Sequence, residues 1–261
     1  MIDWSAAADP RRRVGCAVEA HDQIGSTNDR ARELVVVGAG GVAVIAELQT
    51  AGRGRRGRTW QSPRGVNLTA SVGLRPRLGA ARAGLLGIAT AVAVREACAE
   101  IAELSVKWPN DLVDRDGLKV AGLLLETTLV DDVVTQAVIG IGINVNWRRA
   151  QMPPDVAATA TSLIELCGKP IDRVQLLSSL LSRLDDELAA LEEGATPVDR
   201  FAAASWLDGR YVDVSLGRQQ VGGRVVGIDD DGSLLVDTLA GRRALNAGEV
   251  VRVRTQLAAS A

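Results

Sequence analysis

The hydrophobic and polar positions of the first 150 residues predict a sheet packed with helices. Apolar or alternating runs of strand length cover residues 14–20, 42–48, 66–74, 104–108, 119–129 and 133–145. Residues 114–117 and 131–132 carry the Asp and Gly residues that hairpin turns favour. A run at 80–101 is apolar nearly all round, which is typical of a helix buried in a core. We therefore expect an α+β domain with a mixed, mainly antiparallel sheet packed with helices.

The pattern changes in the second half of the chain. Leucines at helical spacing predict an amphipathic helix over residues 172–193, followed by a shorter helix at 197–206. Beyond the turn residues Asp208 and Gly209, runs of strand length occur at 211–216, 220–228, 233–237, 242–246 and 250–253. This is the layout of a small β-barrel resembling an SH3 fold. We expect two domains, residues 1–206 and 207–261.

Composition limits the classes of function that this chain can serve. A formal net charge of −2 argues against a general nucleic-acid binder, which is usually basic over a whole face. With one histidine and three widely spaced cysteines, a histidine-rich zinc site, a Ser-His-Asp triad or a disulfide framework has little to build on. No apolar run reaches membrane-spanning length, and residues 1–13 lack the apolar segment of a signal peptide. We expect a cytoplasmic protein without membrane contact.

One loop concentrates arginine and glycine. Residues 52–60 read Gly-Arg-Gly-Arg-Arg-Gly-Arg-Thr-Trp, directly after the strand predicted at 42–48. Glycine allows close approach of the backbone and arginine offers forked donors to phosphate or carboxylate, so the loop predicts an anion site. A P-loop would need a helix beginning at Gly57, and the nearby Pro63 and Gly65 argue against one. The loop alone leaves open an exposed segment that binds nothing specific.

Four further segments place polar residues where strands or helices begin and end. Ser26-Thr27-Asn28 opens a predicted helix and serves either as a plain cap or as a seat for a polar ligand, and Gln49 closes a buried strand. Lys107-Trp108-Pro109-Asn110-Asp111 combines a lysine, an aromatic ring, a rigid bend and a carboxylate. The segment 119–124 begins with Lys119, and the segment 140–145 interrupts an apolar strand with two glycines and Asn144. A cap or a turn is a structural explanation for Ser-Thr-Asn, for Pro-Asn-Asp and for Asn144, but it does not explain Lys107 and Trp108.

Taken in order, these motifs resemble those of the biotin–protein ligase family. The resemblance spans about residues 20–150 and is carried by Ser-Thr-Asn at 26–28, the segment 47–60, Lys-Trp-Pro-Asn-Asp at 107–111, Lys-Val-Ala-Gly at 119–122 and Gly-Ile-Asn-Val at 142–145. It implies a class II synthetase/biotin ligase-like fold, and the predicted barrel fits the family's C-terminal domain. Each motif alone is weak, whereas their order and spacing together are specific.

The resemblance implies an activity and a set of site residues. Members of the family activate biotin with MgATP to biotinyl-5′-AMP and transfer biotin to a lysine of a biotin carboxyl carrier domain of acyl-CoA carboxylases. The residues then expected to bind biotin are Ser26, Thr27, Asn28, Gln49, Gly52, Arg53, Arg55, Lys119, Gly122 and Leu124. Those expected to bind ATP or the adenylate are Arg55, Arg56, Arg58, Trp60, Lys107, Asn110 and Asn144, with Trp60 stacking on adenine. Lys119, Arg53 and Asp111 are expected to be catalytic, and Mg²⁺ to be held mainly by phosphates.

Two rival functions follow from the same residues. A lipoate–protein ligase shares the architecture and the adenylate chemistry, but the complete arginine–glycine loop and the segment 107–111 favour biotin. A non-enzymatic anion or nucleic-acid-binding module would use the loop and leave Gln49 and Lys119 without a role. The catalytic motifs begin close to the first residue, so we expect no DNA-binding module and no repressor function. We expect a monomer or a weak homodimer.

Overall fold

The computed structural model describes residues 2–254 and contains a seven-stranded sheet in its first part. Its strands are β1 (Val18–His21), β2 (Ala43–Ala46), β3 (Leu68–Leu74), β4 (Ser105–Lys107), β5 (Asp111–Val113), β6 (Lys119–Val130) and β7 (Val133–Ile143). The spatial order is β1-β2-β3-β7-β6-β5-β4. Only β1 and β2 run parallel among these neighbours, and the other pairs are antiparallel. The prediction of a mixed, mainly antiparallel sheet is confirmed.

Helices cover both faces of this sheet. They are α1 (Thr27–Val36), α2 (Leu85–Cys98), α3 (Pro154–Ala157), α4 (Leu163–Cys167), α5 (Arg173–Glu192) and α6 (Val198–Ala203). Helix α1 packs on one face through a small buried cluster of Ala31, Val44 and Val138. Helices α2 and α5 pack against each other, and their buried side chains form the main core with those of the other sheet face. Because the buried cluster under α1 is small, the rest of this face of the sheet is open to a cavity.

A second, five-stranded antiparallel sheet follows the helices. It contains β8 (Tyr211–Leu216), β9 (Gln219–Ile228), β10 (Leu234–Thr238), β11 (Gly241–Leu245) and β12 (Glu249–Arg254), in the order β11-β10-β9-β8-β12. Its buried residues, among them Val212 and Val236, belong to the same hydrophobic cluster as α2 and α5. Residues 255–261 of the second predicted domain lie outside the described residues. Within residues 2–254, none of the helices combines the length and hydropathy that a membrane crossing needs.

Two predicted elements begin later than the hydrophobic pattern indicates. The strand expected from residue 14 starts at Val18, because Gly15 adopts a left-handed conformation with φ of 78° and donates to Gly41 O instead of joining the strand ladder. The helix expected over 80–101 begins as a separate 3₁₀ turn at Ala80–Arg82, and α2 follows from Leu85. Ala80 N donates to Asp132 O in the β6–β7 turn, so the start of the predicted helix is hydrogen-bonded to the neighbouring hairpin.

Candidate active site

Two adjoining cavities open on the sheet. The first, about 470 Å³ with its open mouth, lies on the α1 face among residues of α1, β3, β6 and β7. The second, about 1300 Å³ with its open mouth, lies between the arginine–glycine loop, the segment 107–111 and the second sheet. Both are lined by Gly54, Arg55, Trp60, Asn110 and Lys119. Two ligands bound in these cavities would therefore meet at a junction that contains two cationic side chains.

The polar end of the first cavity is formed by the start of α1 and the end of the strand before the loop. Ser26 occupies the N-cap position, but its hydroxyl makes no capping hydrogen bond. Gln49 caps the helix instead, because its Oε1 accepts from Thr27 N at 2.8 Å and from Thr27 Oγ1 at 3.0 Å. The Ser26 hydroxyl and the Gln49 amide nitrogen are left for the cavity, whose lining includes both residues.

Asn28 is buried beside this polar end and is held on three sides. Its Nδ2 donates to Glu126 at 2.8 Å, and its Oδ1 accepts from Ser71 Oγ at 2.6 Å. The amide lies on the bare backbone of Gly140, where an added Cβ would approach Asn28 Cγ to 3.0 Å and the amide oxygen more closely still. The glycine at this strand position therefore makes room for the amide.

The first arginine of the loop is paired with helix α1. Arg53 donates to both oxygens of Asp29, at 2.6 and 3.0 Å, and Asp29 also accepts from Arg32 at 2.7 Å. The Arg53 guanidinium lowers the pKa of Asp29 below its usual value, and the carboxylate raises the pKa of Arg53 in turn. Arg53 lines the first cavity while its charge is already matched. Sequence reasoning did not find Asp29, which carries no motif signal beyond its place in the first turn of α1.

The other three arginines of the loop reach the second cavity. Arg55 donates to Asn110 Oδ1 at 3.1 Å and to Gly248 O at 3.2 Å, and its pKa is lowered by burial and then by the neighbouring charge of Arg56. Arg56, at a φ of 57°, donates to Ser215 O at 3.0 Å and pairs with Glu249, to which Arg58 also donates. Glu249 of β12 thus neutralises two loop arginines from the second sheet. No sequence signal identified this residue.

Trp60 lies across the centre of the sheet at the junction. A Cβ at Gly142 would stand 2.5 Å from its Cζ2 and 2.9 Å from its Nε1, so the indole rests directly on the backbone of β7. Gly142 pairs in register with Gly122 of β6, and a Cβ there would stand 3.2 Å from Trp60 Cζ3. Trp60 Nε1 is buried without a hydrogen-bond partner among the described residues. A buried, unsatisfied donor at the meeting point of two cavities favours a ligand acceptor there.

Two lysines complete the junction. Lys119 Nζ lies 2.7 Å from Asp111 Oδ1 and 5.7 Å from the Trp60 ring centre, and this ion pair lacks hydrogen-bond alignment. Lys107 lines the second cavity, and its Nζ lies 5.4 Å from the ring centre of Trp206. Burial lowers the pKa of Lys107, against the opposing charge of Asp111. A half-buried ammonium that contacts no carboxylate among residues 2–254 is suited to bind an incoming anion.

Two predicted site residues, Asn144 and Gly52, do not line either cavity. Asn144 is buried outside the lining of either cavity, where its Nδ2 donates to Thr161 O at 3.0 Å and lies 3.5 Å from Lys119 O. Its expected contact with the adenylate stays a prediction that this arrangement does not favour, because the amide is engaged with backbone. Gly52 lies behind the lining, where a Cβ would stand 2.7 Å from Trp60 O. Leu124 lines the first cavity beside Gly122, and its expected contact with biotin stays a prediction.

The arrangement can bring two anions together and stabilise the charge as they react. Arg55 and Lys119 stand at the junction, Lys107 stands further into the second cavity, and no nucleophilic cysteine or histidine lines either space. Charge neutralisation and positioning are sufficient for attack of a carboxylate on a phosphate. Among residues 2–254, no three His, Cys, Asp or Glu side chains are grouped to hold a metal ion.

Two family models match this chain. Residues 22–144 match the Biotin/lipoate A/B protein ligase family, and residues 209–253 match the Biotin protein ligase C terminal domain. The first model is named for both biotin and lipoate ligases, whereas the second is named for biotin protein ligase. The matched ranges coincide with the cavity-bearing sheet and the second sheet.

Relatives and solved structures agree with these models. The bifunctional ligase/repressor BirA of Bacillus subtilis is 33% identical over 235 residues, covering 88% of this chain and 72% of the relative. The biotin--[acetyl-CoA-carboxylase] ligase of Mycobacterium tuberculosis is 36% identical over 244 residues, covering 89% and 87%. The biotin protein ligase from Aquifex aeolicus in complex with biotin and ATP has a TM-score of 0.76 and 32% identity, covering 91% of this chain and 98% of that chain. The chain therefore belongs to the biotin protein ligase family.

Proposed function

We propose that this protein activates biotin with ATP to biotinyl-5′-AMP and then transfers biotin to a lysine of a biotin carboxyl carrier domain. The observation that carries this proposal is the junction of two cavities at Lys119, Arg55, Asn110 and Trp60. The first cavity has the polar end and apolar wall that suit biotin. The second is larger and carries the cationic side chains that suit ATP. Relatives named for this reaction and a neighbour solved with both substrates support the assignment.

In the first step, a carboxylate oxygen of biotin attacks the α-phosphorus of ATP. The bond from that phosphorus to the bridging oxygen breaks, and pyrophosphate leaves with the electron pair. We assign Lys119 and Arg55 to the meeting carboxylate and α-phosphate, because both line the two cavities. Lys107 is assigned to the phosphates that depart. Arg53 holds the loop over the product through Asp29 and so protects the mixed anhydride from water.

The remaining predicted contacts also divide between the cavity proposed for biotin and the cavity proposed for ATP. Ser26, Thr27, Gln49 and Asn28 surround the polar head of biotin in this proposal. Trp60 gives adenine a stacking face once the base enters the second cavity, and Arg56 and Arg58 bind the nucleotide after exchanging Glu249 for phosphate. The loop therefore binds an internal carboxylate in the free protein and a phosphate in the complex.

Mg²⁺ accompanies ATP in this proposal. The carboxylates that line the second cavity are Asp111 and Glu249, which together do not form a complete metal cage. Mg²⁺ in nucleotide sites is usually held by one or two carboxylates together with phosphates, so this donor set fits an ion that arrives with ATP. The bound ion supplies neutralisation of the phosphate charge.

In the second step, the ε-amine of the carrier lysine attacks the carbonyl carbon of biotinyl-5′-AMP, and AMP leaves. We assign Asp111 as the group that takes the proton of this amine, because it is the carboxylate in contact with Lys119 at the junction. Lys119 remains charged and stabilises the departing phosphate. The carrier lysine reaches the junction through the open second cavity.

We infer that the chain divides near residue 206 into a catalytic domain and a C-terminal domain. The separate sheets and the two matched ranges support this division. The C-terminal domain then has a direct role, because Glu249, Gly248 and Ser215 hold three arginines of the loop. The absence of DNA binding and a monomer or weak homodimer stay our predictions for this protein.

One assay tests the proposed function. Pyrophosphate release from ATP is measured with biotin, with lipoate and with neither, and the biotin reaction is repeated with a carrier domain. We expect release that depends on biotin and continues through multiple turnovers when the carrier is present. Equal release with and without biotin would overturn the proposal, and release with lipoate alone would transfer the assignment to a lipoate–protein ligase.

A further inference from the structure

The indole of Trp206 lies beside Lys107 at the edge of the seven-stranded sheet. Strand β4, which ends with Lys107, pairs with β5 along one edge. Along its other edge, Val106 forms a short parallel bridge with Ser205. Val106 N donates to Ala204 O at 2.9 Å, and Trp206 N donates to Val106 O at 2.8 Å. Lys107 and Trp206 each follow a bridge partner, so their side chains are neighbours on the same face of the sheet.

The orientation of the indole is fixed by groups other than Lys107. Its Nε1 donates to Arg115 O at 3.2 Å, in the turn between β5 and β6. The ring rests on the bare backbone of Gly117, where an added Cβ would stand 2.7 Å from Cη2 and 3.0 Å from Cε2. The guanidinium carbon of Arg210 lies 4.3 Å from the ring centre, and Arg210 Nε donates to Trp206 O at 2.5 Å. The ring is therefore held in place before any ligand binds.

The Lys107 ammonium has weaker restraints. It is half-buried and contacts no carboxylate among residues 2–254. The charges of Asp111 and Glu249 attract it from a distance, and that of Lys119 repels it. A π face within about 6 Å attracts an ammonium, and the attraction grows as water is excluded. Lys107 Nζ lies 5.4 Å from the ring centre of Trp206, so a rigidly held ring attracts the end of a flexible side chain.

We propose that Trp206 is a positioning residue that holds the Lys107 ammonium toward the departing phosphates of ATP. Trp206 lies in the segment between the two sheets and lines neither cavity, so it acts through Lys107. The inference rests on the proposed function for its ligand, in which Lys107 binds these phosphates. A lysine that is already restrained loses less conformational freedom when ATP binds, and the affinity is correspondingly higher. The segment between the sheets thus contributes to the ATP site.

Three substitutions separate the π face from the bulk of the indole. Trp206→Phe keeps an aromatic face, Trp206→Leu and Trp206→Met keep only apolar bulk, and all three lose the hydrogen bond to Arg115 O. We expect the KM for ATP to rise roughly tenfold in the leucine and methionine variants, the worth of a partly desolvated cation–π contact. The rise in Trp206→Phe should be only about threefold, because phenylalanine provides a weaker π face than tryptophan.

Inhibition by pyrophosphate and by AMP distinguishes a displaced lysine from a disturbed domain. Pyrophosphate contains the phosphates assigned to Lys107, so in Trp206→Leu its inhibition constant should rise by the same factor as the KM for ATP. AMP lacks these phosphates, so its inhibition constant should keep the wild-type value. A general displacement of the second sheet would weaken both inhibitors, because Gly248 and Glu249 hold loop arginines at the same cavity. Both constants are measured on the formation of biotinyl-5′-AMP.

A matched control and a second background complete the design. Tyr211→Leu removes an exposed aromatic ring of β8 that lines neither cavity, and it should keep the wild-type constants. In a Lys107→Met background, Trp206→Leu should add little to the KM for ATP, because no ammonium remains for the ring to hold. Thermal unfolding of every variant confirms that each is folded.

The outcomes are distinct. Equal losses in Trp206→Phe and Trp206→Leu, equal weakening of pyrophosphate and AMP, or additive losses in the Lys107→Met background would each overturn the role of Trp206. Biotin-dependent pyrophosphate release by the wild type together with an unaffected Trp206→Leu variant overturns the inference alone. A wild-type protein without biotin-dependent release overturns the proposed function and the inference with it.

Discussion

Adding a single methyl group to Gly142 should separate nucleotide binding from folding. In Gly142→Ala, the new Cβ would stand 2.5 Å from Trp60 Cζ2 and 2.9 Å from Nε1. Ordinary contacts between heavy atoms lie near 3.5–4.0 Å, so the indole has to move outward by about 1 Å. Gly142 has an ordinary strand conformation, and alanine otherwise favours a strand interior over glycine by about 0.5–1 kcal/mol. The displacement therefore affects Trp60 more than the sheet.

The expected loss is in the binding of ATP. A stacking contact between a base and an aromatic side chain is worth about 1–3 kcal/mol, so a misplaced indole should raise the KM for ATP by roughly tenfold to a hundredfold. Biotin-dependent pyrophosphate release with ATP varied at saturating biotin measures this. Gly87→Ala is the control, because its Cβ meets only Leu125 Cδ2 at 4.0 Å and it lies in α2, away from both cavities of the active site.

A double-variant cycle identifies the cause. Trp60→Ala alone should raise the KM for ATP by a similar factor, and Gly142→Ala should add little in its presence, because the methyl group then meets no indole. Additive losses would show that Gly142 affects ATP by another route. A Gly142→Ala enzyme with the wild-type KM for ATP would refute the argument that the bare backbone seats Trp60.

Three further predictions concern the charged residues of the site. Arg53→Ala removes the link to Asp29 and should leave thermal unfolding almost unchanged, while biotinyl-5′-AMP escapes faster into solution; full carrier biotinylation without leakage would contradict this. Burial lowers the pKa of Lys107, so its charge is lost as pH rises at a lower pH than for an exposed lysine, and the KM for ATP should rise on the alkaline side. Lys107→Arg should flatten that alkaline rise because a guanidinium stays charged, and an identical profile would exclude Lys107 as its origin. Glu249→Gln removes the internal competitor of Arg56 and Arg58 and should tighten ATP binding several-fold by calorimetry; weaker binding would instead make Glu249 part of the nucleotide site.

The strands and helices could be predicted because their signals are local. The hairpin of β6 and β7 follows from two long apolar runs around Asp131-Asp132, and both turn residues take positive φ values, of 48° and 60°. Helix α5 follows from its leucine spacing and from Asp172, whose side chain accepts from Val174 N and Gln175 N. The parallel pairing of β1 with β2 could not be predicted, because it depends on how α1 crosses the sheet and not on any residue within the strands.

The site could be predicted where a motif carries it and not where a distant partner completes it. The motifs drew attention to Gln49, Lys107 and Lys119, each of which lines a cavity, while their contacts with ligands stay predictions. Glu249 contacts the loop arginine Arg58, and Glu126 contacts Asn28 of α1. Both were missed because folding brings these distant residues together, and a carboxylate on a strand gives no signal of its own. Asn144 shows the opposite case, since its motif is present but its amide is engaged by Thr161 O.

The centre of the sheet carries three glycines on which side chains of the candidate site rest. Gly140 and Gly142 lie two residues apart on β7 and face the same side, and Gly122 of β6 pairs with Gly142 on that side. Side chains at these positions would normally cover the face of the sheet. Here three side chains with proposed roles in the reaction cover the bare backbone instead: Asn28 on Gly140, Trp60 on Gly142, and Lys119 on Gly122, where a Cβ would stand 2.7 Å from Nζ.

In the proposed mechanism each glycine supports one part of the reaction, so a methyl group at each should affect a different step. At Gly140 it displaces the Asn28 amide and should weaken biotin binding, whereas at Gly142 it displaces Trp60 and should weaken ATP binding. At Gly122 it pushes the Lys119 ammonium away from the junction, so kcat should fall more than either KM. Because none of the three has a positive φ, the backbone itself accepts alanine at every position. The same loss at all three sites would show that the sheet, and not the side chains resting on it, had been perturbed.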